Sequence, residues 1–156
     1  MNPTAEHLDH VRPEWLDGNG HMNLAYYVVV FDRGTDAWLE LAGLGVGYRQ
    51  DGCGSVFAVE THTLYRREVG LGSQLRVQSW LVDADAKRLH LAHEMTCDGT
   101  LVAMQECLFV HVDLATRRVK PFTVTRGQHV MTLVGPSPAW LGRRIAVTAG
   151  AALAAR

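Results

Sequence analysis

Between Trp15 and Asn23 the chain gathers its densest set of reactive side chains, Asp17-Gly18-Asn19-Gly20-His21-Met22-Asn23. A carboxylate close to an imidazole can attack an acyl carbon or draw a proton from water. If a helix starts at Asn23, the free amides of its first turn stand at the positive end of the helix dipole and can polarise a carbonyl oxygen. The same residues also suit a plain turn, with Gly18 and Gly20 permitting it and Asn23 capping the helix. A calcium loop is excluded: the sixth position is Met22 where the sharp turn needs glycine, and the twelfth is Val28 where a bidentate glutamate is needed. The eight histidines do not make a zinc site by spacing, because His7 and His10, like His90 and His93, lie three apart and face opposite sides of a strand.

The element that must position this cluster is a helix from Asn23 to Gly43. Asn23 suits the N-cap and Gly43 the left-handed closing position, which frames about 20 residues, roughly 30 Å. Asp32, Asp36 and Glu40 form one polar stripe. Leu24, Tyr27, Val28, Phe31, Trp38, Leu39 and Leu41 spread over the rest of the circumference, so the helix is expected to be wrapped rather than laid on a surface. The run Val28-Val29-Val30 and the central Gly34 lower intrinsic propensity, which leaves burial to hold the helix.

Composition bounds the function. A chain of 156 residues, 47% hydrophobic and 20% charged, is expected to form one domain, with a core over residues 7–122 and a C-terminal extension over 123–156. Fifteen basic against sixteen acidic side chains supply no field for nucleic acid or an anionic membrane. Cys53, Cys97 and Cys107 are odd in number and lack CxxC spacing, against a disulfide framework or zinc knuckle and in favour of a reducing cytoplasm. Neither an export signal nor a membrane-length apolar run is expected.

Residues 7–14 read as a first strand, 44–55 as a glycine-rich loop, and 56–66, 75–83, 88–97 and 101–113 as four strands. Their short links, the sharpest being Asp98-Gly99, predict an antiparallel meander. The class is α+β, a curved five-stranded antiparallel sheet around a long helix. Residues 125–134 suit a short helix, and the alanine-rich 145–156 a frayed helix or tail. Strands apolar on both faces, as at Leu101 to Met104 with Leu108 and Phe109, predict association with a second copy.

Trp15-x-Asp17-x-Asn19-Gly20-His21-Met22-Asn23, followed by Tyr26 or Tyr27, resembles the signature of hotdog-fold acyl-CoA thioesterases of the 4-hydroxybenzoyl-CoA thioesterase type. Val59-Glu60-Thr61-His62 and Asp85-Ala86-Lys87-Arg88-Leu89-His90-Leu91-x-His93, supported by residues 108–113, resemble the narrower group associated with carnitine degradation, whose substrate is betainyl-CoA. The resemblance covers about residues 8–122. It implies that Asp17 is nucleophile or general base and that amides near Asn23 and Leu24 hold the thioester oxygen. It further implies that Asn19 and His21 shape the loop and orient Asp17 or water. Active sites between the subunits of a homodimer or homotetramer follow from it, with Glu60 or His62 reaching across. Neither metal nor redox cofactor is implied, coenzyme A being part of the substrate.

A CoA ester also needs a grip on its phosphates, for which Arg66, Arg67, Lys87 and Arg88 are the candidates, with Arg117, Arg118 and Lys120 in reserve. A betaine head would call on aromatic faces, and Trp15, Tyr26, Tyr27, Phe57 and Trp80 are the stock. The rival readings are a hotdog that binds an acyl-CoA or another small ligand without hydrolysing it, and a hydratase, which the absence of an Asp-x5-His-Gly motif disfavours.

Overall fold

The computed structural model describes residues 4–52 and 54–142. Asn23 accepts a hydrogen bond from the Ala25 amide through its side chain (3.0 Å) and so opens α1, Leu24–Leu41; Gly43, at φ +67°, turns the chain away after it. Five strands, β1 (Ala5–His10), β2 (Ser55–Tyr65), β3 (Gln74–Ala84), β4 (Arg88–Cys97) and β5 (Thr100–Val112), form one antiparallel sheet in the order β1-β3-β4-β5-β2. The Asp98-Gly99 turn has positive φ at both residues and closes β4 on β5, with Cys97 facing Thr100.

Alternation along the strands divides the side chains between two faces. One face, with Leu81, Leu89, Leu91 and Phe109, packs on Trp38 and Leu39 of α1. The other, with Ala92, Met104 and Trp80, is covered by Trp140 and Leu141 of the C-terminal extension, which is tied down by Trp140 Nε1 donating to Glu94 and Trp80 Nε1 donating to Pro136 O, both at 2.9 Å. A short helix, α3 (Val124–Met131), capped by Thr123, begins that extension. Under the middle of α1 lies a buried polar knot: His93 Nδ1 is 2.8 Å from Ser79 Oγ, and its Nε2 is 3.5 Å from Thr35 Oγ1. Burial with no compensating charge pushes the His93 imidazole down to about 3, so it stays neutral.

Several expectations need correction. The strands do not run as one meander: β2 lies at the far edge beside β5, while β3 pairs with β1. The link of residues 66–73 looks short, yet eight residues span up to roughly 26 Å, ample for three strand spacings of about 4.8 Å. The first strand ends at His10, because Pro13 opens a 3-10 turn, Pro13–Trp15. The supposed loop contains α2, Val46–Gln50, seated by Tyr48, whose hydroxyl lies 2.8 Å from His111 Nε2.

Nor is α1 wrapped within one chain: Leu24, Val28, Val29 and Leu41 are exposed. The apolar outer face of β5 loses force as a sign of association, since the chain's own Trp140 packs on Met104. Residues 145–156 lie outside the described residues.

Candidate functional site

The reactive cluster folds as a tight hairpin closing onto the start of α1. The Asn23 amide donates to Trp15 O (2.9 Å), Leu16 bridges Met22, the Asp17 amide donates to His21 O (3.0 Å), and the Gly20 amide donates to Asp17 O (3.0 Å) with Gly20 at φ +82°. Asp17 Oδ1 accepts from the Asn19 amide (2.8 Å), while Oδ2 lies 3.9 Å from His21 Nδ1. The carboxylate is therefore held on one side, with its other oxygen turned toward the imidazole, and its side chain is 24% exposed. Because the Asn23 amide is consumed by Trp15 and the Ala25 amide by the Asn23 side chain, the Leu24 amide is the first-turn donor that makes no hydrogen bond among the described residues. This corrects the expectation for Asn23, whose part is structural.

Asp17, His21 and Leu24 line one open cleft of about 350 Å³. Its opposite wall is the segment that leaves β2, with Tyr65, Arg66, Arg67 and Glu68. That segment is pinned against the helix start: Tyr27 Oη donates to Arg67 O (3.2 Å), the Met22 amide to Val69 O (2.9 Å), and the Arg66 and Arg67 amides to Val102 O. Tyr27 and Tyr65 meet edge to face, 5.2 Å between centroids. Burial holds both phenols above their ordinary value, and the nearby Glu68 carboxylate adds to the effect at Tyr27.

Other expected residues lie elsewhere. Trp15 is buried, stacked on Tyr26 (5.2 Å, 11°), and its ring is faced by the Arg12 and Arg33 guanidinium groups at 4.4 and 5.6 Å, so it offers no free face to an acyl group. Phe57 lies under Arg117 at the far end of β2, and Trp80 packs beneath the C-terminal extension. Lys87 and Arg88 sit in the β3–β4 turn, where Arg88 is bound to Asp85, in the same cross-strand row as Phe57 through Val110. Glu60 is exposed on β2, and a bulge between Ala58 and Glu60 turns these two residues to opposite faces where an unbroken strand would keep them on one. His62 and His90 both bind Glu106, on the face away from α1. Within one chain, none of these reaches the Asp17 cleft.

The profile of the thioesterase-like superfamily matches residues 11–130. The chain is 37% identical over 114 residues to the betainyl-CoA thioesterase of Pseudomonas aeruginosa, covering 72% of each protein. The chain belongs to the thioesterase-like superfamily. As a member it is a thioester hydrolase with the hotdog fold. It is also 40% identical over 117 residues to an L-carnitine dehydrogenase/betainyl-CoA thioesterase of Agrobacterium fabrum; the match takes in 74% of this chain but 24% of that two-activity protein. Among solved structures, a Staphylococcus aureus protein in complex with CoA superposes with TM-score 0.85 at 28% identity, covering 95% of this chain and 98% of that one. A Synechocystis 1,4-dihydroxy-2-naphthoyl-CoA thioesterase, at TM-score 0.71 and 19% identity over 86% of this chain and all of that one, shares the fold.

Sequence reasoning passed over two residues of this thioesterase's cleft, Tyr65 and Glu68. Glu68 Oε2 lies 3.6 Å from His21 Nε2, so the imidazole stands between two carboxylates. In the sequence Glu68 only follows two arginines beyond a strand; the available signal was its position directly after Tyr65-Arg66-Arg67. No helix among the described residues is long and apolar enough to cross a membrane.

Proposed function

We propose that the chain hydrolyses a small acyl-CoA thioester to the free acid and coenzyme A, with betainyl-CoA as its substrate, and that Asp17 and the Leu24 amide carry the reaction. The supporting observation is that the one carboxylate held by its own hairpin and the unpaired first-turn amide line the same cleft. A thioester oxygen accepting from Leu24 N–H gains charge as the tetrahedral intermediate forms, and a fixed donor there stabilises that charge without reorganising. Asp17 acts either by taking a proton from water, whose oxygen then bonds the acyl carbon, or by bonding that carbon itself. In both routes the C–S bond breaks and the thiolate leaves and takes up a proton; in the second, water then cleaves the anhydride formed between the acyl group and Asp17, releasing the acid and restoring the carboxylate. Asn19 and His21 orient the carboxylate. The chemistry asks for no resident metal or redox cofactor.

The cleft is open within one chain, and β2 is bonded on one side only, by β5. An antiparallel pairing of two β2 edges about Glu60, the middle of the strand, lays the Ser55 end of each copy against the Tyr65 end of the other. The partner subunit's Phe57, Lys87 and Arg88 are then carried toward a cleft whose own Arg66 and Arg67 are free of ion pairs among the described residues, while the two Glu60 residues meet at the two-fold axis. This gives the phosphate grip two walls and the exposed side of α1 a cover, in a homodimer or a tetramer built from it, acting in the cytoplasm. The test is thiol release by purified protein from betainyl-CoA, benzoyl-CoA and butyryl-CoA. The highest kcat/KM is expected for betainyl-CoA, and no thiol from any of the three overturns the reading.

A further inference from the structure

We propose that Glu68 is the specificity residue of this site, holding the cationic head of the acyl group against the Tyr65 ring while Arg66 and Arg67 hold anionic phosphate. The inference rests on the reading above and deepens it.

The cleft carries two carboxylates, Asp17 and Glu68, and two guanidinium groups, Arg66 and Arg67. Opposite charges so close together ordinarily pair. Here they do not: neither arginine forms an ion pair among the described residues, and Glu68 meets only the His21 imidazole, at 3.6 Å. The two guanidinium groups and two carboxylates balance, yet none of the four pairs with another among the described residues. A betainyl-CoA ester has the complementary pattern, a fixed quaternary ammonium at the acyl end and phosphates at the other.

Asp17 is committed to its hairpin by the Asn19 amide, whereas the Glu68 side chain is 77% exposed and makes no hydrogen bond among the described residues. It is the carboxylate available to a ligand. A quaternary ammonium has no N–H to donate and binds through charge and aromatic surface. Tyr65 is 45% exposed, its hydroxyl anchored to Leu24 O at 3.4 Å and its ring set edge to face with Tyr27, so part of its ring stays open in the cleft that Glu68 also lines.

The test compares betainyl-CoA with 3,3-dimethylbutyryl-CoA, which has the same shape with carbon in place of the charged nitrogen. Glu68→Gln is expected to lower kcat/KM for betainyl-CoA roughly tenfold, the effect of a carboxylate about 5 Å from a cation at an effective dielectric constant near 50. The loss on the neutral ester should be several-fold smaller, and Glu68→Asp should restore most of the preference. As a second readout, tetramethylammonium should inhibit wild-type cleavage of the neutral ester and lose that effect in Glu68→Gln. Equal losses on both esters would mean that Glu68 acts through His21 on the chemistry, and would overturn the proposal, as would no change on either. A wild-type protein that cleaves neither ester would instead defeat the thioesterase reading itself, an outcome visible before any variant is made.

Discussion

Gly34 lies where α1 crosses β3. A Cβ at that position would stand 2.7 Å from Val77 Cγ1 and 2.8 Å from Ser79 Oγ, against a resting separation of roughly 3.5–4.0 Å between carbons. Neither neighbour can swing aside, since Val77 and Ser79 are fully buried and Ser79 is held by His93 at 2.8 Å. Gly34→Ala must therefore lift the helix by roughly 1 Å or distort the polar knot beneath it. Helix propensity favours alanine by about 1 kcal/mol, while overpacking against rigid neighbours costs about 2–3 kcal/mol. The net expectation is a loss of about 1–2 kcal/mol, or a Tm lower by roughly 3–6 °C for a chain of this size. Urea unfolding followed by tryptophan fluorescence measures it, at one fixed protein concentration because association shifts apparent stability. The same displacement moves the Leu24 amide away from Asp17, so thiol release should fall in native buffer as well. An unchanged or raised urea midpoint would show that backbone approach at Gly34 does not set the height of α1.

Two further outcomes are expected. His93 is neutral in the fold, pushed down to about 3, while the unfolded chain takes up its proton near 6.5; its contribution is complete above that pH and is lost as pH falls from about 6.5 toward 3, at up to about 1.4 kcal/mol per pH unit. Urea midpoints at pH 7.5 and 5.5 should therefore drop more in wild type than in His93→Gln, and equal drops would contradict the assignment. Val59 is the extra residue of the β2 bulge, 55% exposed on the free edge; Val59→Lys should leave circular dichroism unchanged, reduce the sedimenting species to the 17.2 kDa chain and abolish most thiol release. Full activity in a monomeric Val59→Lys protein would remove the subunit boundary from the site.

The helix and its hairpin were legible because their determinants are local. Asn23 caps α1 and Gly43 ends it within reach of their own neighbours in sequence, and the glycines around Asn19 permit the turn that sets Asp17. What escaped was set by distant parts of the chain. The place of β2 beside β5 depends on where an eight-residue link leads, and the bulge at Val59 reverses the facing of Glu60 without any glycine or proline to announce it. Trp15 reads as an acyl-pocket aromatic until Arg12 and Arg33 are seen on its ring, and Glu68 enters the site only because Tyr27 and Met22 pin its segment to the helix start.

The central claim is that the Asp17 carboxylate acts on a thioester held at the first turn of α1. Asp17→Asn tests it most directly, because an asparagine oxygen still accepts from the Asn19 amide and keeps the hairpin closed while the basic, nucleophilic oxygen is lost. Thiol release from saturating betainyl-CoA should fall by a factor of about 10² or more in kcat, with KM within a few-fold of wild type. A kcat within threefold of wild type would contradict the account.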